Sequence, residues 1–166
     1  MGDQMVLDTG SSWAVISECG RYRYELGRRW DSTGPLLEWI MLNPSTADAS
    51  ADDPTIRRCM AFAKRWGYGG IVVRNLFALR ATNPQALLAR DLIDSISPDN
   101  FVYLSRLDAD CTIAAWGAHA ATLEWRNAGF RIRRPNLFCL GVNANGSPKH
   151  PLYVPSSRTP IRWEAA

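Results

Sequence analysis

Two asparagines in this sequence directly follow apolar segments, and their primary amides are side chains that can bind a polar ligand. The residues WIML precede Asn43, and GGIVVR precedes Asn75. An amide offers a hydrogen-bond donor and an acceptor side by side, as the edge of a pyrimidine base requires, and its oxygen can also position a water molecule. An amide cannot take a proton from that water as a carboxylate does. Hydrolysis by that water is therefore either slow or helped by a nearby carboxylate that accepts the proton, and Asp48, Asp52 and Asp53 are the candidates.

Proline at position 44 determines how Asn43 is presented. Because Pro44 cannot donate to a sheet ladder and holds the residue before it out of the helical region, the sequence predicts that a strand ends here in an extended turn. Asn43 then lies at the carboxyl end of that strand, where ligands bind in open α/β folds. The polar residues Ser45 and Thr46 follow it. A structural Asx turn formed by Asn43 is the alternative, and the two roles are compatible.

The segment SPKHPLYVP near the carboxyl terminus holds a third candidate, His150, between two prolines. A lone histidine is often structural, so a catalytic role and a satisfied surface or core histidine both stay open. The other histidine, His119, opens a predicted helix and is interpreted as structural. Ser147, Lys149 and the backbone N–H groups of NANGS are natural contacts for a phosphate group.

The carboxyl-terminal part of the chain is basic. Seven Lys or Arg residues and no acidic residue lie between Arg126 and Arg162, although the net charge of the whole chain is only +3. Such a segment can bind the phosphates of DNA, through Arg133 and Arg134 among others. A solvated basic face without a partner is the alternative.

Alternating strand and helix patterns predict the elements that position these residues. The predicted fold is one α/β domain over residues 1–166, with three layers (α/β/α) and a mostly parallel central sheet of four strands. Residues 1–30 are predicted to form an amino-terminal β-hairpin extension around Cys19-Gly20. The core strands are expected at 35–42, 69–79, 111–117 and 136–141, and the helices at 52–67, 83–89, 97–107 and 118–129. Because the ends of parallel strands share one sheet edge, the candidate residues should meet in one cleft.

Composition limits the class of protein. With 166 residues, 46% hydrophobic and 21% charged, the chain is typical of a globular domain and not of a disordered segment. No apolar run approaches the roughly 20 residues of a membrane span, and the amino terminus lacks a signal-peptide pattern, so a cytoplasmic protein is expected. The four cysteines are far apart and the chain has two histidines, which argues against a zinc or iron–sulfur site. No cofactor or metal is predicted.

Four segments, in this order, resemble motifs of the uracil-DNA glycosylase superfamily: MLNPST, VVRNLFALRATNP, IAAWGAHA and HPLYVP. From Tyr24 onward the chain also resembles an uncharacterised bacterial and phage family that carries NPSTAD and HPLY signatures. The superfamily resemblance implies a glycosylase-like fold, with a catalytic loop at Asn43-Pro44 and an asparagine, Asn75, that reads a flipped base. The chain departs from the best-known branch in having Asn43 where that branch has a water-activating aspartate, as the mismatch-specific branch also does.

The resemblance also implies roles for the last motif. His150 is expected to donate a hydrogen bond to the base O2 as charge develops there, and Leu152 and Tyr153 are expected to insert into the duplex. In the uracil-selective branch, a tyrosine after the catalytic-loop proline excludes substituents at C5 of the base. The matching position here is Ser45, followed by Thr46, so this wall is absent and a larger base could enter.

The expected function is a monofunctional, monomeric DNA glycosylase that acts on double-stranded DNA. It would hydrolyse the N-glycosidic bond of a flipped C5-modified pyrimidine, such as glucosylated 5-hydroxymethylcytosine of phage DNA, and leave an abasic site in anti-phage defence. Asn43, His150 and Asp48 are the expected catalytic residues, and Pro44, Ser45, Thr46 and Asn75 are expected to contact the base. A repair glycosylase for uracil or mismatches, a hydrolase of free nucleosides or nucleotides, and a silent module that binds modified bases are the alternatives.

Overall fold

Strands and helices alternate along most of the chain in the computed structural model, which describes residues 5–6 and 12–164. Two 3₁₀ turns, at Pro84–Leu87 and Pro151–Tyr153, accompany the regular elements in these residues. The strands of the described residues are β1 Met5–Val6, β2 Ser12–Ile16, β3 Arg23–Arg29, β4 Leu36–Met41, β5 Gly70–Asn75, β6 Cys111–Ala114, β7 Leu137–Cys139 and β8 Ile161–Arg162. Their α-helices are α1 Pro54–Arg65, α2 Leu92–Ile96, α3 Asn100–Leu104 and α4 Ala120–Asn127.

All these strands form one sheet in the order β1-β2-β3-β5-β4-β6-β7-β8. The four strands β5, β4, β6 and β7 are parallel to one another, and the remaining pairings are antiparallel. The sheet is therefore larger than the predicted four strands and only partly parallel.

The amino-terminal hairpin accounts for most of this difference, because it is part of the sheet and not an extension of the domain. Its second strand, β3, pairs with β5 from Leu26 opposite Val73 to Arg29 opposite Gly70. This pairing satisfies the backbone groups that β5 would otherwise expose at a sheet edge. Residues 1–4 and 7–11 of the predicted extension lie outside the described residues.

Helices cover both faces of the sheet, as the continuous burial of β4 requires, since successive side chains of a strand point to opposite faces. Trp39 faces α1, where it packs with Ile56 and Phe62. Ile40 faces the opposite side and packs in a second cluster with Leu104 of α3 and Trp125 of α4. None of the described helices is long and apolar enough to cross a membrane.

Several predicted elements have different bounds in the structure. The segment predicted as a helix at 83–89 forms only a 3₁₀ turn, and the predicted helix at 97–107 is confined to α3. The short helix α2 before it was not predicted. Ser97, with φ of 62°, separates α2 from α3, since a residue in the left-handed region cannot continue a helix.

A buried ion-pair network lies on the sheet and includes Arg134, a residue predicted to bind DNA. The Nε atom of Arg134 donates to Oε2 of Glu38 at 2.7 Å, and only 5% of its side chain is exposed. Glu38 also accepts hydrogen bonds from Arg74 and Thr112. Arg134 therefore compensates a buried carboxylate, and it is not available to a DNA phosphate, which needs an accessible guanidinium.

Candidate functional site

A cleft of about 500 Å³ opens at the carboxyl ends of the parallel strands, a volume typical of small-molecule sites. Strand order determines which side chains meet there. Asn75 ends β5, Asn43 follows β4, and Trp116 follows β6. Because β3 runs antiparallel to β5, its first residue, Arg23, lies at the same edge and also lines the cleft.

The loop after β7 closes the far side of the cleft. The backbone N–H of Gly117 donates to the carbonyl of Pro148 at 3.0 Å, which holds the loop that carries His150 against the end of β6. Gly117 has φ of +78°, a conformation that favours glycine. The predicted residues that line the cleft are Asn43, Ser45, Asp53, Asn75, His150, Leu152 and Tyr153.

Asn43 is held with its amide oxygen unused. Its Nδ2 donates to the carbonyl oxygens of Pro44 at 3.1 Å and Ala81 at 2.8 Å. Since both neighbours are acceptors, only the amide nitrogen can face them, and Oδ1 has no hydrogen-bond partner among the described residues. The Asx turn considered from the sequence needs Oδ1 as an acceptor and does not form in this part of the chain. Asn43 thus has an acceptor available for water.

Asn75 is 1% exposed, and its Oδ1 is buried without a hydrogen-bond partner in the described residues. Its backbone carbonyl is satisfied by Nδ2 of Asn100 at 2.8 Å. A buried polar atom left unpaired costs about 1–3 kcal/mol. Asn75 therefore does not cap its own loop, which was the structural alternative, and its amide is available for a bound ligand.

Both histidines of the chain cap a helical segment through Nδ1. His150 Nδ1 accepts the backbone N–H of Leu152 at 3.2 Å, and His119 Nδ1 accepts that of Ala121 at 3.1 Å. An acceptor at Nδ1 carries no proton, so the proton of each neutral ring is on Nε2. His119 also lines the cleft, and its Nε2 is buried without a partner in the described residues. Sequence reasoning missed this second role of His119.

The three acidic residues that follow Asn43 in sequence and were considered as proton acceptors have different environments. Asp48 does not line the cleft. Its Oδ1 instead accepts hydrogen bonds from the backbone N–H groups of Ser50 and Ala51 within a turn. The bond from Ser50 lowers the pKa of Asp48. Asp52 pairs with Arg28 at 2.9 Å. Asp53 lines the cleft, and its Oδ1 caps α1 by accepting the N–H of Ile56 at 2.8 Å. Asp53 is therefore the carboxylate placed to act on a ligand.

Burial shifts the ionisation of two basic groups in the cleft. It lowers the pKa of His150, and the charge of Asp53 opposes this shift without cancelling it. It also lowers the pKa of Arg23 to about 10, which leaves the guanidinium charged at neutral pH. The cleft therefore combines a histidine biased toward its neutral form, a carboxylate and a buried cation.

The other predicted residues lie around or away from the cleft. Leu152 and Tyr153 are at its rim, and Tyr153 is 82% exposed, with its ring centroid 5.5 Å from that of His150. Pro44 is buried and Thr46 exposed, and neither lines the cleft. Ser147 is buried and donates to Oδ1 of Asn145 at 2.6 Å.

Two predicted phosphate contacts have accessible side chains. Arg133 is exposed, and Lys149 is half-buried, with its side chain lying along Gly141. No group of three or more His, Cys, Asp or Glu side chains within residues 5–6 and 12–164 is arranged to hold a metal ion.

Comparison with family models gives one match. The model of the family described as "Protein of unknown function (DUF1643)" matches residues 23–152. The chain belongs to this family. No curated protein and no solved structure matches the chain.

The part of this DUF1643 protein that matches the family model contains nearly the whole cleft. The match begins at Arg23, the first residue of β3, and ends at Leu152 on the cleft rim. Tyr153 lies one residue beyond it. The family model therefore covers the elements that build the site, from the hairpin strand to the histidine loop.

Proposed function

We propose that this DUF1643 protein is a DNA glycosylase that removes a C5-modified pyrimidine from double-stranded DNA. The observation that carries the proposal is the convergence of three unused polar groups in one cleft: the amide of Asn75, the amide oxygen of Asn43 and the Nε2–H of His150. A flipped pyrimidine needs an amide at its polar edge, a positioned water at its sugar and a donor at O2.

In the proposed reaction, the oxygen of a water held by Asn43 attacks C1′ of the sugar. The bond between C1′ and the base nitrogen breaks, and its electron pair leaves with the base. Asp53 accepts the proton of the water, as a general base must. The Nε2–H of His150 stabilises the negative charge on the departing base, in the manner of an oxyanion hole.

Features at the cleft rim support a base that has left a duplex. Leu152 is 41% exposed and Tyr153 82% exposed, so two adjacent apolar and aromatic side chains are accessible at the rim of the cleft. Apolar and aromatic side chains fill the gap that a flipped nucleotide leaves. Ser45 lines the cleft where the uracil-selective branch has a tyrosine, so a C5 substituent has room. Glucosylated 5-hydroxymethylcytosine of phage DNA is the base we propose, and anti-phage defence is the proposed role.

The test is incubation with duplexes that contain uracil, thymine, 5-hydroxymethylcytosine or its glucosylated form, followed by alkali, which breaks the strand at abasic sites. We expect breaks at the modified cytosines and none at unmodified bases. Asn43→Ala and His150→Ala should each slow base release by about one to three orders of magnitude, since each removes one transition-state hydrogen bond. Unchanged rates in both variants contradict the mechanism.

The same experiment separates the alternatives. If the small side chain of Ser45 is what admits a C5 substituent, Ser45→Tyr should prevent release of the bulky bases and leave release of uracil unchanged. Preference for uracil with bulky bases unaffected by Ser45→Tyr indicates ordinary repair. Release of base from free nucleosides alone indicates a nucleoside hydrolase, and tight duplex binding without any abasic product indicates a binding module.

A further inference from the structure

Arg23 is a buried arginine without an ion-pair partner in the described residues. It is 2% exposed, and its Nη1 donates to the carbonyl of Ala47 at 2.7 Å. Its Nε is buried and has no acceptor among the described residues. The acidic groups of Asp53 and Asp48 are close enough to raise its pKa, yet neither forms an ion pair with it. Burying a charge in this way is costly unless a further acceptor arrives.

The unpaired polar atoms of the cleft indicate which hydrogen-bonding groups a bound ligand must carry. Three of the buried side-chain atoms without partners in the described residues belong to residues that line it: Nε of Arg23, Oδ1 of Asn75 and Nε2 of His119. Arg23 and His119 each need an acceptor, whereas Oδ1 of Asn75 needs a donor. A ligand that satisfies them all carries acceptor oxygens at a position distinct from the edge that Asn75 reads.

The position of Arg23 shows which part of the ligand it can reach. In the sheet, β3 lies on the far side of β5 from β4, so Asn75 stands between Arg23 and Asn43. Arg23 is thus separated from the residue that positions the water. Its bond to Ala47 ties it to the loop of Ser45, which lines the cleft and is the residue that the proposed function places beside C5 of the base.

We propose that Arg23 is the specificity residue for the C5 substituent and binds acceptor oxygens on it, so that the cleft selects an oxygen-rich substituent over an apolar one of comparable reach. The inference rests on the proposed function, whose substrate class it narrows. A planar guanidinium presents several donors in a fixed geometry, which suits the hydroxyl oxygens of a sugar or an anionic group. An apolar substituent leaves this cation buried and unpaired, and sites of this kind reject such analogues strongly.

The first experiment uses the wild-type protein and measures its affinity for duplexes by fluorescence anisotropy. The target nucleotide carries a 2′-fluoroarabino sugar, which resists cleavage, and cytosine bearing a C5 hydroxymethyl, glucosyl-hydroxymethyl or propynyl group. We expect both oxygen-bearing bases to bind at least tenfold more tightly than the propynyl base. Equal affinity for the propynyl base overturns the proposal.

The second experiment uses two variants. Arg23→Met keeps most of the side-chain length without the donors, and Arg23→Lys keeps the charge without the planar guanidinium. Arg23→Met should abolish the preference for the oxygen-bearing bases over the propynyl base. Arg23→Lys should retain part of the preference. The matched control is Arg80→Met, since Arg80 is a neighbouring arginine that does not line the cleft, and it should behave as wild type.

Thermal unfolding shows whether each variant is folded, and if the Arg23 variants are not, the wild-type comparison decides alone. Base release from ordinary duplexes separates this inference from the proposed function. If Arg23→Met loses the preference but the wild-type protein cleaves no duplex, the proposed glycosylase activity is contradicted and the specificity role of Arg23 is supported. If the wild-type protein cleaves the duplexes and Arg23→Met slows cleavage equally for every base, the glycosylase activity is supported and the specificity role of Arg23 is contradicted.

Discussion

At the scale of single residues, Asp53 has a structural role and a proposed catalytic role that substitution can separate. One carboxylate oxygen caps α1 through the N–H of Ile56, and the residue also lines the cleft. Asparagine is as good a helix cap as aspartate, but it cannot accept a proton from water. The cap and the proposed catalytic role therefore depend on different properties of the same side chain.

Asp53→Asn should reduce base release by about two to four orders of magnitude, the usual contribution of a general base, with little change in the melting temperature. Asp53→Ala should lose the activity and also about 1 kcal/mol of stability, because the cap is lost. Single-turnover cleavage and thermal unfolding measure the two effects. The matched control, Asp48→Asn, alters an acid outside the cleft and should keep its rate, so an equal loss in both variants contradicts the assignment.

The sequence predicted the cleft residues that follow strands or adjoin a proline, such as Asn43, Asn75 and His150. It favoured Asp48 as the catalytic acid, whereas Asp53 is the one that lines the cleft, since the two acids differ only in which backbone groups they meet after folding. It also missed Arg23, because one arginine in a strand pattern carries no sign that its tip will be buried at the sheet edge. These properties depend on tertiary contacts that no local pattern records.

At the scale of elements, the capping of the 3₁₀ turn Pro151–Tyr153 depends on the protonation state of His150. His150 caps this turn through Nδ1, which requires that nitrogen to be unprotonated. Burial lowers the pKa of His150 in the folded protein below its ordinary value. Below pH of about 6.5 the unfolded chain therefore binds this proton more readily than the folded protein does.

We expect the free energy of unfolding to fall as pH decreases from about 7 to 5, with a contribution from His150 that is absent at neutral pH and complete once the pH is below its lowered pKa. His150→Asn keeps a capping side chain and removes the titration, so its stability should depend less on pH in this window. Chemical denaturation at several pH values measures the difference. Parallel curves for the two proteins would show that His150 does not contribute.

The sheet shows what local patterns can determine about elements. The strands β4 and β5 and the helix α1 were predicted from apolar runs, an N-terminal acid and proline, and a terminal glycine. The pairing of the hairpin with β5 was not, because a strand's partner is chosen by contacts between residues far apart in sequence. Leu26 and Val73 illustrate this: each fits a strand pattern, but nothing local shows that they are opposite one another.

At the scale of the whole molecule, the basic segment divides into residues that stabilise the fold and residues that can meet a partner. Arg133 and Arg134 are adjacent in sequence, but Arg133 is exposed whereas Arg134 bonds Glu38 through both Nε and Nη2, at 2.7 and 3.0 Å. An excess of arginine in the sequence therefore overstates the charge available to DNA. Exposed Arg133 and buried Arg134 can therefore be substituted in parallel to test which charges contribute to DNA binding.

Duplex affinity should fall steeply with salt, because each cation that neutralises a phosphate releases counterions and adds about 0.9 to the slope of log affinity against log salt concentration. Arg133→Gln should reduce this slope by about that amount, whatever base the duplex contains. Arg134→Gln should leave the slope unchanged and instead cost about 1–3 kcal/mol of stability, because the buried Glu38 loses its bonds to Arg134 and keeps those from Arg74 and Thr112. Anisotropy titrations from low to moderate salt, together with thermal unfolding, measure both effects. If affinity does not change with salt, DNA is not the partner, and if only Arg134→Gln lowers the slope, the assignment of the two arginines is reversed.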